Sequence, residues 1–455
     1  MDFLTTLFGA GGTLWTAVFF ILAISIIVFV HEYGHYIVGR WSGIHAEVFS
    51  LGFGRVIWSR TDKRGTRWQL AAIPLGGFVK FLGDADAASA AADETAMAGL
   101  SAAERRHTMH GAPLWARAAT VFAGPLANFI LAAAVIFGML MWTGVATDKP
   151  TVDRIAVLPG TEQGLLPGDA ITALDGKPVT DWESFYALAA KLPATPTVSY
   201  TVLRDGAETT VTSGHPLPPL IGDVQLKSAG LAAGLQEGDV ILQAGGKPVA
   251  TFAELPPIVE GLGGQPVSLT IWRPAGAEGE PGQGQTLDMS ITPNRRDLPK
   301  AEGGFETRWL IGLGAGVLIE PQTRQPGLWE AATTSLDRLW FLVTTSLSSL
   351  AHIATGKIDS CNLSGAISMA QVAGQSAAMG LEDFIQTLAM LSFGIGLITL
   401  FPIPVLDGGH LVFHAYEAVF RRPPPDIVMR ALMTLGLAII LTFMAFALFN
   451  DVTCA

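Results

Sequence analysis

The sequence predicts a polytopic α-helical membrane protein, with about four transmembrane helices, a β-rich loop beside the first of them and a soluble insertion built from two tandem small α+β domains. Three observations carry that prediction. Half of the 455 residues are hydrophobic, only 15% are charged, and the mean hydropathy is positive, which is more apolar than an ordinary soluble chain. Four segments, about Leu14–Val38, Ala116–Trp142, Phe384–Phe401 and Ala431–Phe449, come near the length that about 30 Å of hydrocarbon requires. Gly164–Val179 returns as Gly234–Val249, with GLxxGDxI followed by GKPV in both copies, so two copies of one unit follow each other.

Loop charge sets the orientation. The first connection carries Arg40, Arg55, Arg60, Lys63, Arg64, Arg67, Lys80, Arg105 and Arg106, and the third carries Arg421 and Arg422. By the positive-inside rule both are cytoplasmic. Both termini and the segment from Thr143 to about Asp383 then face the opposite side, which in a bacterium is the periplasm. The first apolar run leads directly into a polar motif and lacks a basic n-region and a cleavage site, so it reads as an uncleaved anchor. A net charge of −11 without a basic helix argues against a nucleic-acid partner. Cys361 and Cys454 are far apart and form no CxxC pair, so a metal has to be held by histidine and carboxylate.

That motif is His31-Glu32-Tyr33-Gly34-His35. On a helix, residues four apart share a face, so both imidazoles can reach one zinc ion while Glu32 flanks it as a general base. Ionisable groups inside a span are expensive, about 2.5–3.5 kcal/mol each on insertion scales, which weighs against a packing role. Val38 and Trp41 stand where a metzincin would have glycine and histidine. The third ligand therefore lies elsewhere. At 1.5 Å per residue, His31 sits roughly 26 Å past Leu14, towards the cytoplasmic side.

The remaining segments follow in order. Alternation from Val48 to Gly83, with turns at Asp62–Gly65 and Pro74–Gly77, predicts short strands. Trp68–Phe81 is apolar enough either to dip into the membrane beside the metal or to pack one face of a cytoplasmic sheet. Residues 84–115 read as a cytoplasmic linker. In the second span Pro125 frees a carbonyl, and Asn128 either bonds a neighbouring helix or contacts substrate. The two repeats, drawn at 150–215 and 216–295, carry strands such as Thr197–Leu203 and Val267–Trp272 and helices near Trp182–Lys191 and Phe252–Gly261. Within 305–380, Trp329, Leu336, Leu339, Trp340, Val343, Leu347 and Leu350 form one helical stripe, as in an amphipathic helix at the membrane surface.

The third span ends in Leu400-Phe401-Pro402-Ile403-Pro404-Val405-Leu406-Asp407-Gly408-Gly409-His410. Pro402 and Pro404 break the helix, and Gly408 and Gly409 permit a close approach. His31, His35 and Asp407 would make a two-histidine, one-carboxylate set that leaves a coordination position open. His410 is the rival ligand, and a helix cap is the alternative role for Asp407.

With these residues in place the chain resembles the site-2 protease family of intramembrane zinc peptidases, in its bacterial branch of regulator of sigma-E proteases. The resemblance rests on the HEYGH motif, Pro74–Lys80, Gly124-Pro125 with Asn128, the two repeats, Asn362-Leu363-Ser364-Gly365 and Leu406–His410. It implies Zn2+ held by His31, His35 and Asp407, with Glu32 as the catalytic base. It also implies a membrane re-entrant β-loop at Trp68–Phe81, whose Gly76, Gly77 and Phe78 would contact substrate together with Asn128 and Thr399. The repeats resemble PDZ domains, which implies binding of peptide C-termini or filtering of a substrate ectodomain. The implied partners are the lipid bilayer and single-pass membrane proteins of anti-sigma-factor type or remnant signal peptides, cut after a first extracytoplasmic cleavage in the inner membrane. Two positions depart from the family: Ala366, where many members have proline, and Thr399, where many have asparagine. A non-catalytic PDZ receptor with a structural zinc is the competing class.

Overall fold

The computed structural model describes residues 12–85, 93, 97–161, 163–275, 283–299, 305–355 and 363–453. Part of the 84–115 linker, Asn362 and both cysteines lie outside them. The chain divides into two units, one built from 1–138, 332–348 and 363–455, the other from 139–331 and 349–362.

In the first unit α1 (Thr13–Trp41) leads into strands β1 (Ala46–Thr61) and β2 (Arg67–Phe81), then α2 (Leu114–Thr143). It continues through the middle of α3 (Leu328–Ala354), whose two ends belong to the second unit, then α4 (Ala366–Met379), α5 (Leu381–Thr399), α6 (Asp407–Phe420) and α7 (Asp426–Thr453). Among the described residues four helices, α1, α2, α5 and α7, are long and apolar enough to cross a membrane. At 1.5 Å per residue the 29 residues of α1 extend about 43 Å. The third span stops two residues earlier than its hydropathy suggests, because a residue preceding proline is driven out of the helical region and Pro402 follows Phe401.

Tight helix contacts rest on small residues. A Cβ at Gly34 of α1 would lie 2.8 Å from the Ala127 methyl and closer still to the Ala123 carbonyl of α2. Trp15 donates its indole N–H to Gly374 O of α4 at 3.1 Å. Asp451, at the far end of α7, accepts the N–H groups of Gly365, Ile367 and Ser368 at 2.9, 3.0 and 3.1 Å and bonds the Ser368 hydroxyl. An N-terminus that lacks a local cap is thereby satisfied from another helix. Arg117 of α2 and Glu417 of α6 form a two-bond ion pair at 3.0 and 2.6 Å.

The strands β1 and β2 each bend, so that two strands make four ladder segments. Residues 46–51 pair antiparallel with 77–81, and 56–61 pair antiparallel with 67–71; between them the pairs Val48–Arg67 to Leu51–Leu70 rise together. The bend in β1 falls at Gly52 and Gly54, whose φ values of 85° and 83° few side chains tolerate. Near the bends Phe53, Ile57, Trp58, Ile73 and Leu75 are exposed.

In the second unit the repeat becomes two four-stranded sheets of identical order. Lys177–Pro178, Ala170–Leu174, Thr197–Arg204 and Ala207–Gly214 make one; Lys247–Pro248, Val240–Ala244, Val267–Pro274 and Gly284–Ile291 make the other. The repeat extends to a buried ion pair: Arg204 grips Asp169 at 2.8 and 2.7 Å, and Arg273 grips Asp239 at 2.7 and 2.7 Å. Strand partners reach past the ranges drawn from sequence. Ile221–Val224 pairs with Leu313–Ala315, and Val152–Ile155 with Ile319–Pro321, so the second copy is threaded between strands of the first. Strands therefore occupy the start of the 305–380 segment, and its helix begins only at Leu328. On that helix Leu339, Leu342 and Val343 pack with Ala132, Ala389 and Phe393, whereas Leu336, Trp340 and Leu347 are exposed.

Candidate metal centre

Helix α1 carries His31 and His35 one turn apart, with both Nε2 atoms turned to the same point, 3.2 Å from each other. The carboxylate of Asp407 completes the group, Oδ2 lying 3.1 Å from His31 Nε2 and Oδ1 3.5 Å from His35 Nε2. Ligand bonds of about 2.0–2.1 Å in a tetrahedral zinc site place ligand atoms about 3.3 Å apart. The three separations fit zinc, and among the described residues this is the group able to hold a metal.

Asp407 reaches this position because the backbone opens between α5 and α6. Leu406 is extended, Gly408 packs on the carbonyls of Leu400 and Phe401, and Gly409 packs on Ile403 O and Pro404, with no room for a Cβ at either glycine. The N-terminus of α6 has no side-chain cap, so the Asp407 carboxylate serves the imidazoles and not its own helix. His410 follows one turn on; it lines the same cavity but lies outside the three-residue group.

The ring of His35 is fixed from behind by a bond from Nδ1 to Thr120 O at 2.8 Å, and Thr120 in turn donates its hydroxyl to Ala116 O at 2.7 Å. Glu32 lies against the strand edge, beside Gly77. Gly77 makes that approach possible, since a Cβ there would lie 2.8 Å from Val28 Cγ1 and 3.1 Å from Glu32 Cγ.

A cavity of about 290 Å³ opens on this group, lined by His31, Glu32, His35, Gly77, Phe78, Val79, Thr399, Asp407 and His410 among others. Of the five substrate-contact residues named from sequence, three line it and two do not. Gly77, Phe78 and Thr399 line it, the Thr399 hydroxyl donating within its own helix to Ile395 O at 3.0 Å. Gly76 instead accommodates the ring of Phe53. Asn128 is fully buried behind His31, its Nδ2 3.2 Å from Nδ1. Pro402 and Pro404 shape the break that delivers Asp407. Sequence reasoning missed Arg117, His110 and His414, which also line the cavity. His414 was detectable, because it stands four residues after His410 and seven after Asp407, on one face of α6.

A HExxH pair and a distant aspartate, brought together among apolar helices with a carboxylate beside the metal position, define a zinc metalloprotease embedded in a membrane. Residues 19–443 match the model of peptidase family M50, and the chain belongs to that family, the site-2 proteases. It is 32% identical over 468 residues to the "Regulator of sigma-E protease RseP" of Salmonella typhimurium, covering 96% of this chain and 98% of that protein. Over 443 residues it is 33% identical to a protein of Agrobacterium fabrum named "Putative zinc metalloprotease", covering 95% and 94%. The chain is thus an intramembrane zinc-dependent protease of the inner membrane, and the scaffold alternative gives way.

Proposed function

We propose that the protein cuts transmembrane segments of single-pass membrane proteins, of anti-sigma-factor or remnant-signal-peptide type, after a first extracytoplasmic cleavage. The observation that carries this reading is the position of the strand edge Gly77–Phe81, which borders the same cavity as His31, Glu32, His35 and Asp407. A helical substrate hides its carbonyls in i→i−4 bonds and has to unwind before attack. Pairing with a strand edge replaces the backbone bonds that unwinding removes. The exposed Phe53, Ile57, Trp58 and Leu75 support immersion of the hairpin in lipid, since apolar area of this kind is costly in water.

His31, His35 and Asp407 would hold the zinc, which supplies a Lewis acid that activates water and polarises a peptide carbonyl. Glu32 accepts the proton of the attacking water and returns it to the leaving amine, a transfer of a kind worth about 10²–10⁴-fold in rate. Thr399 and Phe78 contact substrate in the cavity. The termini and the paired repeats face the periplasm, with the site towards the cytoplasmic side. The repeats act as PDZ-like modules that bind a peptide end or exclude an untrimmed ectodomain.

The test is cleavage of a single-span substrate by purified protein in detergent. Glu32→Gln should keep its zinc and lose cleavage by about 10²–10⁴-fold, and chelation should abolish it. A Glu32→Gln protein that cleaves at the wild-type rate would remove Glu32 from the chemistry.

A further inference from the structure

We infer that Asn128 is a positioning residue for the metal ligand His31, holding its imidazole in the one tautomer that can bind zinc, and that it makes no contact with substrate. The inference rests on the reading of His31 as a ligand.

Both ligand rings turn Nε2 towards the metal position, as the 3.2 Å separation of those atoms shows. A neutral imidazole that binds through Nε2 carries its proton on Nδ1, and that proton needs an acceptor. For His35 the acceptor is Thr120 O, at 2.8 Å. For His31 the facing group is the amide of Asn128, at 3.2 Å.

The amide is well suited to the task. Asn128 is 0% exposed, and its Oδ1 has no hydrogen-bond partner among the described residues. Its backbone is held by α5, where Ser392 donates to Asn128 O at 3.1 Å, and a Cβ at Gly396 would lie 3.1 Å from the Asn128 Cβ. Nδ2 is the amide atom that faces Nδ1, an arrangement that belongs to the opposite tautomer, with the proton on Nε2. A half-turn of the amide exchanges oxygen for nitrogen almost isosterically and presents Oδ1 to the Nδ1 proton. The zinc-binding state requires that orientation. Asn128 is also absent from the residues that line the cavity, which separates it from Gly77, Phe78 and Thr399.

Loss of such an outer partner of a metal-bound histidine lowers metal affinity by about 10–100-fold. The experiment measures zinc affinity of the purified full chain by competition with a chromogenic chelator, without reference to activity. Asn128→Leu, close in shape but without an acceptor, should bind zinc about 10–100-fold more weakly. Asn128→Asp, whose carboxylate accepts the same proton, should stay near wild type, and KM for a cleaved substrate should not rise in that variant. Wild-type zinc affinity in Asn128→Leu together with a raised KM would overturn the inference in favour of substrate contact. Equal loss of zinc in the Leu and Asp variants would overturn it in favour of a packing role. His31→Leu is the control for the underlying reading: unchanged zinc affinity there would refute the ligand assignment itself, whatever Asn128 does.

Discussion

Gly124 of α2 faces the ring of His35, and replacing it by alanine tests how rigidly the site is held. The added Cβ would lie 2.9 Å from His35 Cδ2 and nearer still to Nε2 and Cε1. Carbon atoms in good contact are about 3.5–4.0 Å apart, so ring or helix has to yield by at least roughly 0.6 Å. Metal–ligand distances tolerate about 0.2 Å. The ring cannot swing aside cheaply, because Nδ1 is bonded to Thr120 O one turn earlier on the same helix. Nor can the helix retreat without opening the contact with Gly34. Overpacking of this size costs about 1–3 kcal/mol. If it falls on the zinc-bound state, that is a loss of affinity of about 5–150-fold at 1.36 kcal/mol per decade. The assay is zinc content of purified protein across a series of chelator concentrations. Gly138→Ala is the control on the same helix: nothing lies within 4 Å of its Cβ position, so zinc retention should be unchanged. Wild-type zinc retention in Gly124→Ala would refute the claim that α1 and α2 fix the His35 ring.

Two further outcomes are expected beyond those for Glu32 and Asn128. Asp451→Ala removes a carboxylate that serves three backbone N–H groups at the start of α4; at about 0.5–2 kcal/mol for a lost cap the protein should melt a few degrees lower in detergent while keeping its zinc, and an unchanged melting temperature would remove the capping role. The second unit should lose stability in acid. Burial holds the His215 pKa below its ordinary 6.5. At Asp169 burial acts upward but is outweighed by the bonds from Arg204 and the Leu166 N–H, leaving the group below its ordinary 3.8. Both groups bind fewer protons folded than unfolded, so stability falls with pH, starting near 6.5 for His215 and only below about 4 for Asp169. Amide exchange in 152–321, corrected for intrinsic rates, should be faster at about pH 5.5 than at about pH 7.5, and His215→Gln should reduce that difference; equal protection at both pH values would contradict the assignment.

The parts of this protein that were legible in its sequence are those set by local periodicity or by expensive residues. The spans were visible because a bilayer demands about 20 apolar residues in a row, and the metal group because two histidines, a glutamate and an aspartate are costly among apolar helices. The helix break was visible in Pro402 and Pro404. What stayed hidden depends on partners distant in sequence. The strand Ile319–Pro321 pairs with Val152–Ile155 across an intervening domain, and no local pattern announces such a partner. The bending of β1 and β2 into a four-segment ladder likewise depends on long-range pairing, although Gly52 and Gly54 marked the place. Asn128 read equally as substrate contact or helix contact, since the amide's neighbour is fixed only by the crossing of α1 and α2.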